Sequence, residues 1–130
     1  MEEIPTILIV EDSSTQAHYI AGHLSGRDVD VIIADDGPQG LRIIQGMKPS
    51  LVVLDINLPT MDGYQVCRRI KRDPDTQAIP VVMFTSNNTD EERERGLRAG
   101  ADGYICKGNK AVQQLLDLLG EMGLLAVTAP

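Results

Sequence analysis

Aromatic residues are scarce in this 130-residue chain, which contains no Trp, one Phe and three Tyr. Because 42% of the residues are hydrophobic, the core must be built mainly from aliphatic side chains. No apolar run reaches the roughly 18 residues of a membrane span, and the acidic start Met1-Glu2-Glu3 does not fit a secretory signal peptide. We therefore expect one soluble, cytoplasmic domain that does not enter a membrane.

Basic residues are also few, since 12 Lys and Arg stand against 19 Asp and Glu and give a formal net charge of −7. Binding to nucleic-acid phosphates needs a basic face, so this balance argues against nucleic acid as a direct partner. The two cysteines, Cys67 and Cys106, are too few for a disulfide framework and indicate a reducing compartment. We expect both to be small buried hydrophobes.

Short apolar runs alternate with helical patterns along the chain. Three runs, at residues 7–10, 51–54 and 81–84, are continuous, which is typical of strands buried on both faces of a parallel sheet. A run at residues 31–33 follows an alternation that suits an edge strand, and a shorter fifth run covers residues 104–106. Apolar residues repeat at helical spacing in three of the intervening or following segments: Ala17, Ile20 and Leu24; Tyr64, Cys67 and Ile70; Val112, Leu115, Leu116 and Leu119.

Helix start signals fall between the predicted strands. Pro38 suits a first helical turn, Asp62 can cap the third helix, and Thr89 or Asn88 can cap the charged segment 90–98. Strict alternation of strand and helix predicts an α/β fold: a single doubly wound (βα)5 domain with a five-stranded parallel sheet and helices on both faces. We expect this domain to cover residues 1–130, with a core at about 6–119 and a tail or the start of a linker at 120–130.

Polar residues stand where the predicted strands end. Glu11 and Asp12 follow the first run, Asp55 the third, Thr85 the fourth and Lys107 the fifth. In open α/β sheets the working site lies at the carboxyl ends of the strands, so these side chains are expected to converge. Each one alone has an ordinary explanation as a solvated loop, a cap, a turn or a surface residue, but their joint placement favours a site.

Such a cluster has a definite chemistry. Carboxylates that lie together repel one another unless positive charge neutralises them, and Lys107 supplies one such charge. Mg²⁺, which prefers oxygen ligands, would supply two more, whereas no Cys or His stands in zinc-binding spacing. This arrangement suits phosphoryl transfer in which Asp55 attacks phosphorus while the cation, the ammonium and the Thr85 hydroxyl stabilise the transferring oxygens.

The chain resembles the receiver domains of bacterial response regulators in four segments: ILIVEDSS, LVVLDINLPTMDGYQVCRRIK, IPVVMFTS and AGADGYICK. The resemblance implies a sheet in the order 2-1-3-4-5 and a two-component phosphorylation switch. A histidine kinase or phosphotransfer protein would phosphorylate Asp55, and the domain would catalyse only its own phosphorylation and dephosphorylation. By the same resemblance, Asp12 and Asp55 would bind Mg²⁺ by side chain, Asn57 through its backbone carbonyl and Glu11 through water.

The resemblance also assigns the remaining polar positions. Lys107 and the Thr85 hydroxyl would contact the phosphoryl group, and Tyr104 would be an aromatic switch that turns inward when Thr85 is drawn toward phosphate. Output would pass through the surface of the fourth helix, fifth strand and fifth helix to a downstream protein, a fused output domain or a second copy. One departure is that Gly108 follows Lys107 where the family usually has proline, which leaves the aim of Lys107 open.

Three other functions are compatible with parts of the pattern. A phosphatase of the haloacid-dehalogenase type also uses an Asp nucleophile, but it needs an Asp two residues later, where this chain has Asn57. A flavodoxin-like module would place a phosphate at residues 13–15, beside the repelling Glu11 and Asp12. A degenerate receiver that acts only as a protein-interaction module stays open because of Gly108.

Overall fold

The structure is a computed structural model that describes residues 4–125. Five strands and five helices alternate along the chain. The strands are β1 (Thr6–Val10), β2 (Asp30–Ala34), β3 (Leu51–Leu54), β4 (Val81–Thr85) and β5 (Gly103–Cys106). The helices are α1 (Ser14–Leu24), α2 (Gly37–Met47), α3 (Gly63–Arg72), α4 (Asp90–Arg98) and α5 (Ala111–Glu121).

The strands form one parallel sheet in the order β2-β1-β3-β4-β5, as predicted. All apolar residues of the three central strands are buried, which explains their continuous apolar sequences. The strand β2 lies at the edge, and its Val31, Ile32 and Ile33 are only half-buried. The alternation that precedes this run therefore correctly predicted an edge strand.

Successive residues of each strand point to opposite faces, so the sheet has an apolar layer on each side. Leu8 and Val10 of β1 pack in the layer covered by α2 and α3. Ile7 and Ile9 pack in the opposite layer, which α1 and α5 cover. Burying both faces of the sheet fixes the strand register, because a slip by one residue would exchange the two sets of side chains.

Side-chain caps begin four of the helices. Asp62 forms a full capping box with Gln65 at the start of α3, and Thr89 rather than Asn88 caps α4. Pro38 lies in the first turn of α2, as expected. The helix α5 differs, since its N-cap residue Lys110 makes no side-chain capping hydrogen bond within the described part of the chain.

The last helix ends beyond the expected core boundary. Gly123 adopts a positive φ of 76°, and the Leu124 amide donates to the carbonyl of Leu119 at 2.9 Å, which closes α5. Leu125 is buried against the α1–α5 layer, while residues 126–130 of the expected tail lie outside the described residues. Within residues 4–125 no helix is long and apolar enough to cross a membrane.

Candidate functional site at the carboxyl edge of the sheet

The backbone hydrogen-bond ladder continues past the last residue of three strands. The amide of Glu11 donates to Ala34 at 3.0 Å, that of Asp55 donates to Val10 at 3.0 Å, and that of Lys107 donates to Thr85 at 2.8 Å. The first residue after β1, β3 and β5 is therefore fixed by a neighbouring strand. A residue that directly follows a strand in the sequence therefore has a fixed location in the site.

Three carboxylates meet at this edge. One ligand oxygen from each of Glu11, Asp12 and Asp55 lies within 4.8 Å of the others. Glu11 and Asp55 are buried, whereas Asp12 is exposed. The Asp55 Oδ1 atom accepts hydrogen bonds from the backbone amides of Ile56 (2.7 Å) and Asn57 (3.4 Å), so its other oxygen is the one that faces Lys107.

Lys107 points into the carboxylate cluster. Its Nζ donates to Glu11 Oε1 at 2.6 Å and to Asp55 Oδ2 at 3.3 Å, and it also donates to Gln16 Oε1. The peptide between Lys107 and Gly108 is trans. The glycine in place of proline therefore does not turn the ammonium away from the site.

The carboxyl of Glu11 has a raised pKa. This pKa is raised from 4.5 to about 7. Burial is the largest cause, the hydrogen bond and charge of Asp55 also raise the pKa, and Lys107 lowers it. Its Oε2 atom is buried and has no hydrogen-bond partner among the described residues. A buried carboxylate oxygen without a donor is a position that suits a cation or an ordered water.

Thr85 and Tyr104 are linked through the loop after β4. Thr85 is fully buried, and its Oγ1 accepts a hydrogen bond from the Asn87 amide at 3.3 Å. The half-buried Tyr104 donates from its hydroxyl to the Asn87 carbonyl at 3.0 Å. Arg93 of α4 covers the Tyr104 ring at 5.1 Å, and the ring lies directly against Gly96.

Asn57 makes a further side-chain contact, and Asn87 and Glu92 take part although the sequence did not single them out. Asn57 donates from Nδ2 to Asn87 Oδ1 at 2.9 Å, which joins the acceptor loop to the loop after β4. Glu92 accepts from the Tyr64 hydroxyl through both its carboxylate and its carbonyl, the latter at 3.1 Å. No spacing signal distinguishes Gln16, Asn87 or Glu92, because each acts through a partner distant in sequence.

The expectation that both cysteines are buried is wrong for Cys106. Cys67 is buried, and burial raises the pKa of its thiol to about 11, but Cys106 is only half-buried. The Cys106 sulfur lies 3.0 Å from Asn88 Oδ1 and 3.5 Å from the Arg93 guanidinium, so it faces polar groups rather than the core. Glu92 is half-buried and accepts from the Tyr64 hydroxyl, whereas the residues around it in the segment 90–95 are exposed.

The family model described as the response regulator receiver domain matches residues 7–119. The chain belongs to this family. Response regulators act in two-component signalling, where they work with kinases and output domains.

Curated relatives differ in length from this receiver domain. The Streptomyces coelicolor transcriptional regulatory protein AfsQ1 is 36% identical over 104 residues, which are 80% of this chain and 45% of AfsQ1. Protein PilH of Pseudomonas aeruginosa is 34% identical over 101 residues, 78% of this chain and 84% of PilH. The chain thus spans less than half of AfsQ1 but most of PilH.

Solved structures share the fold closely. The receiver domain of a signal transduction histidine kinase from Syntrophus aciditrophicus is 32% identical with a TM-score of 0.82, covering 96% of this chain and 95% of that one. The Mn²⁺-bound response regulator Rcp1 is 29% identical (TM-score 0.81; coverage 97% and 99%). The receiver domain of the Pseudomonas aeruginosa sensor kinase PA1611, with a magnesium ion in its active-site cleft, is 27% identical (TM-score 0.81; 93% and 99%).

Proposed function

We propose that this receiver domain is a phosphorylation switch whose phosphate acceptor is Asp55. The observation that carries the proposal is the direct contact of the Lys107 ammonium with Asp55 Oδ2, inside a cluster of three carboxylates at the carboxyl edge of the sheet. A histidine kinase or phosphotransfer protein in the cytoplasm supplies the phosphoryl group. The domain, which we take to cover residues 1–130, catalyses only its own phosphorylation and dephosphorylation.

The carboxylate cluster fits a hard divalent cation such as Mg²⁺. Support comes from the converging oxygens of Glu11, Asp12 and Asp55 and from the buried Glu11 Oε2 without a donor. Asp12 and Asp55 would hold the ion by side chain, Asn57 by its backbone carbonyl and Glu11 through water. When bound, Mg²⁺ neutralises charge on the transferring phosphoryl oxygens.

The phosphoryl transfer itself is a displacement at phosphorus. The Oδ2 of Asp55 forms the new O–P bond while the N–P bond of the phosphohistidine breaks. The electron pair of the N–P bond stays on the imidazole nitrogen. The two amide donors on Asp55 Oδ1 hold the carboxylate still during attack. Lys107, already 3.3 Å from Oδ2, neutralises developing charge, and the Thr85 hydroxyl donates to the transferred group.

Output passes through Tyr104 and the surface formed by α4, β5 and α5. The Asn87 backbone binds both the Thr85 hydroxyl and the Tyr104 hydroxyl, so a pull on Thr85 disturbs the contact that holds the aromatic ring. A cavity of about 680 Å³ runs along this surface. Leu118 of α5 and Met122, the residue that follows this helix, are half-buried and offer apolar area to a downstream protein, a fused output domain or a second copy.

The proposal is tested by incubation with Mg²⁺ and a small acyl phosphate donor, followed by intact mass measurement. We expect one added phosphoryl group that base and hydroxylamine remove, and none on Asp55→Asn. The matched control is Asp75→Asn, which changes an exposed carboxylate in the loop between α3 and β4 and should behave as wild type. An unchanged wild-type mass under saturating donor would reject the switch in favour of a domain that only binds proteins.

A further inference from the structure

The loop that carries Lys107 has few restraints of its own. After the Lys107 amide bonds to Thr85, the next backbone contact is the Ala111 amide to the Gly108 carbonyl at 3.1 Å. A Cβ atom built on Gly108 would meet nothing within 4 Å, and Lys110 provides no side-chain cap for α5 in the described chain. A glycine in open space leaves the backbone free, where proline would fix φ.

The Lys107 side chain must therefore be held by the groups around its ammonium. A lysine side chain has many accessible rotamers, so its ammonium does not stay in place without acceptors. Three oxygens accept from Lys107 Nζ, on Glu11, Asp55 and Gln16. Under the proposed function Asp55 becomes phosphorylated and Glu11 faces the cation, so Gln16 is the acceptor whose chemistry stays the same throughout.

We propose that Gln16 is a positioning residue that holds Lys107 at the acceptor site in place of the restraint a proline at position 108 would give; this inference rests on the proposed function. Gln16 is well suited to the role because it lies in the first turn of α1. There its backbone N–H donates to the hydroxyl of the capping Ser13 at 3.2 Å, which fixes the backbone that carries the side chain. An ammonium has only donors, so the amide oxygen of Gln16 must face it.

The neutral charge of Gln16 also matters. A carboxylate at this position would bind Lys107 more strongly, but it would add a fourth negative charge beside an incoming phosphoryl group. A neutral amide restrains the ammonium and leaves its charge available. Gln16 therefore restrains the position of Lys107 without competing for its charge.

The structure contains the space into which an unrestrained Lys107 can turn. A cavity of about 200 Å³ between α1 and α5 is lined by Gln16 and Lys107 together with apolar side chains such as Tyr19, Phe84 and Val112. The aliphatic stem of a lysine is compatible with such a lining. Loss of the Gln16 acceptor should therefore increase the disorder of Lys107, although Glu11 and Asp55 still accept from its ammonium.

The test compares Gln16→Met, which keeps the length of the side chain but removes the acceptor, with Gln113→Met, which changes an exposed glutamine on α5 whose side chain donates to Asp117 at 2.8 Å. The first readout is the NMR splitting of Lys107, by which we mean the difference in chemical shift between its two Hε protons. It is measured in protein labelled with ¹³C at lysine Cε, before any phosphorylation. We expect a clear splitting in wild type and in Gln113→Met, and its collapse in Gln16→Met.

The second readout is the rate of phosphorylation by a small acyl phosphate with Mg²⁺. Gln16→Met should slow it by about three- to tenfold, the factor that a net hydrogen bond of ordinary strength corresponds to. Gln16→Glu should keep the Lys107 splitting and still slow the reaction. This variant therefore distinguishes the position of the ammonium from the availability of its charge. A purely structural role for Gln16 would not produce that difference.

Rescue provides the third readout. In a Gly108→Pro background, or in Gly108→Ala if the first variant does not fold, Gln16→Met should change the rate by less than about twofold, because the loop is then restrained independently. Unchanged splitting and an unchanged rate in Gln16→Met would overturn the inference. If wild type accepts no phosphoryl group, the proposed function fails by itself, and the Lys107 splitting still decides whether Gln16 holds the ammonium.

Discussion

Replacing the proposed acceptor should make the metal-free protein more stable. Asp55→Asn removes one negative charge from a cluster in which the Glu11 carboxylate is 3% exposed and has an oxygen with no donor among the described residues. The asparagine oxygen can still accept from Lys107, which is 3.3 Å away in the wild type. The repulsion between Glu11 and position 55 disappears, while the shape of the site is kept.

The pKa of Glu11 sets the size of this effect. Its rise from 4.5 to about 7 corresponds to about 3 kcal/mol against the ionised form, at about 1.4 kcal/mol for each pH unit. Burial is the largest cause of this rise and Asp55 the next, with Lys107 opposing them. We therefore assign about 1 kcal/mol to Asp55 and expect Asp55→Asn to raise the free energy of unfolding by that amount.

The pH dependence follows from the direction of the shift. A carboxyl whose pKa is raised on folding contributes stability that is fully present below its unfolded value of 4.5 and is lost as pH rises through about 7. Glu11 is thus mostly ionised in the folded state only above about pH 7, where its repulsion with Asp55 acts fully. The gain in Asp55→Asn should be present at pH 8 and nearly absent at pH 5.

Urea unfolding in EDTA at pH 8 and pH 5 measures this difference. Asp75→Asn, an exposed carboxylate outside the cluster, is the control and should change stability by less than about 0.5 kcal/mol at both values. A gain of equal size at pH 5 and pH 8 would show that repulsion with ionised Glu11 is not its source. Destabilisation at pH 8 would mean that the Lys107 contact outweighs the repulsion.

Three further substitutions test neighbouring contacts. Millimolar Mg²⁺ should raise the melting temperature of wild type, and Asp12→Ala should lose most of that rise, because a ligand of the folded state stabilises it. Tyr64→Phe should cost about 1 kcal/mol in urea unfolding, since Glu92 loses a buried hydroxyl donor. In Gly96→Ala the new Cβ would lie 2.9 Å from the Tyr104 ring, so ring proton shifts should report a displaced Tyr104 while stability stays nearly constant. Stability should stay nearly constant because alanine favours the helix by about 1 kcal/mol over glycine, and this gain offsets the cost of displacing the ring.

The fold was predictable because its signals are local and repeated. Continuous apolar runs at residues 7–10, 51–54 and 81–84 match buried parallel strands, and the alternation before the run at 31–33 matches the edge strand β2. Caps such as Asp62 act within three residues of their partners, so short motifs are enough to place them. The strand order depended on the family resemblance, because alternation alone predicts parallel strands without their sequence across the sheet.

The candidate site was predictable only in part. Glu11, Asp55 and Lys107 directly follow strands, and parallel strands bring such residues to one edge. The half-buried, polar setting of Cys106 was missed because β5 is an edge strand whose last residue faces Asn88 and Arg93 rather than the core. Residues that meet across the fold leave no periodic signal in the sequence.

Site residues that could be predicted from the sequence differ from those that could not in how the fold positions them. A residue that ends a buried strand is fixed by the backbone ladder, as the amide bonds of Glu11, Asp55 and Lys107 demonstrate, so its identity alone indicates the chemistry of the edge. The acceptor of a lysine ammonium is chosen instead by side-chain reach, and Gln16 and Lys107 meet although they are 91 positions apart. Sequence reasoning therefore identifies the groups that carry charge, whereas the structure is needed to find the neutral residues that hold them in place.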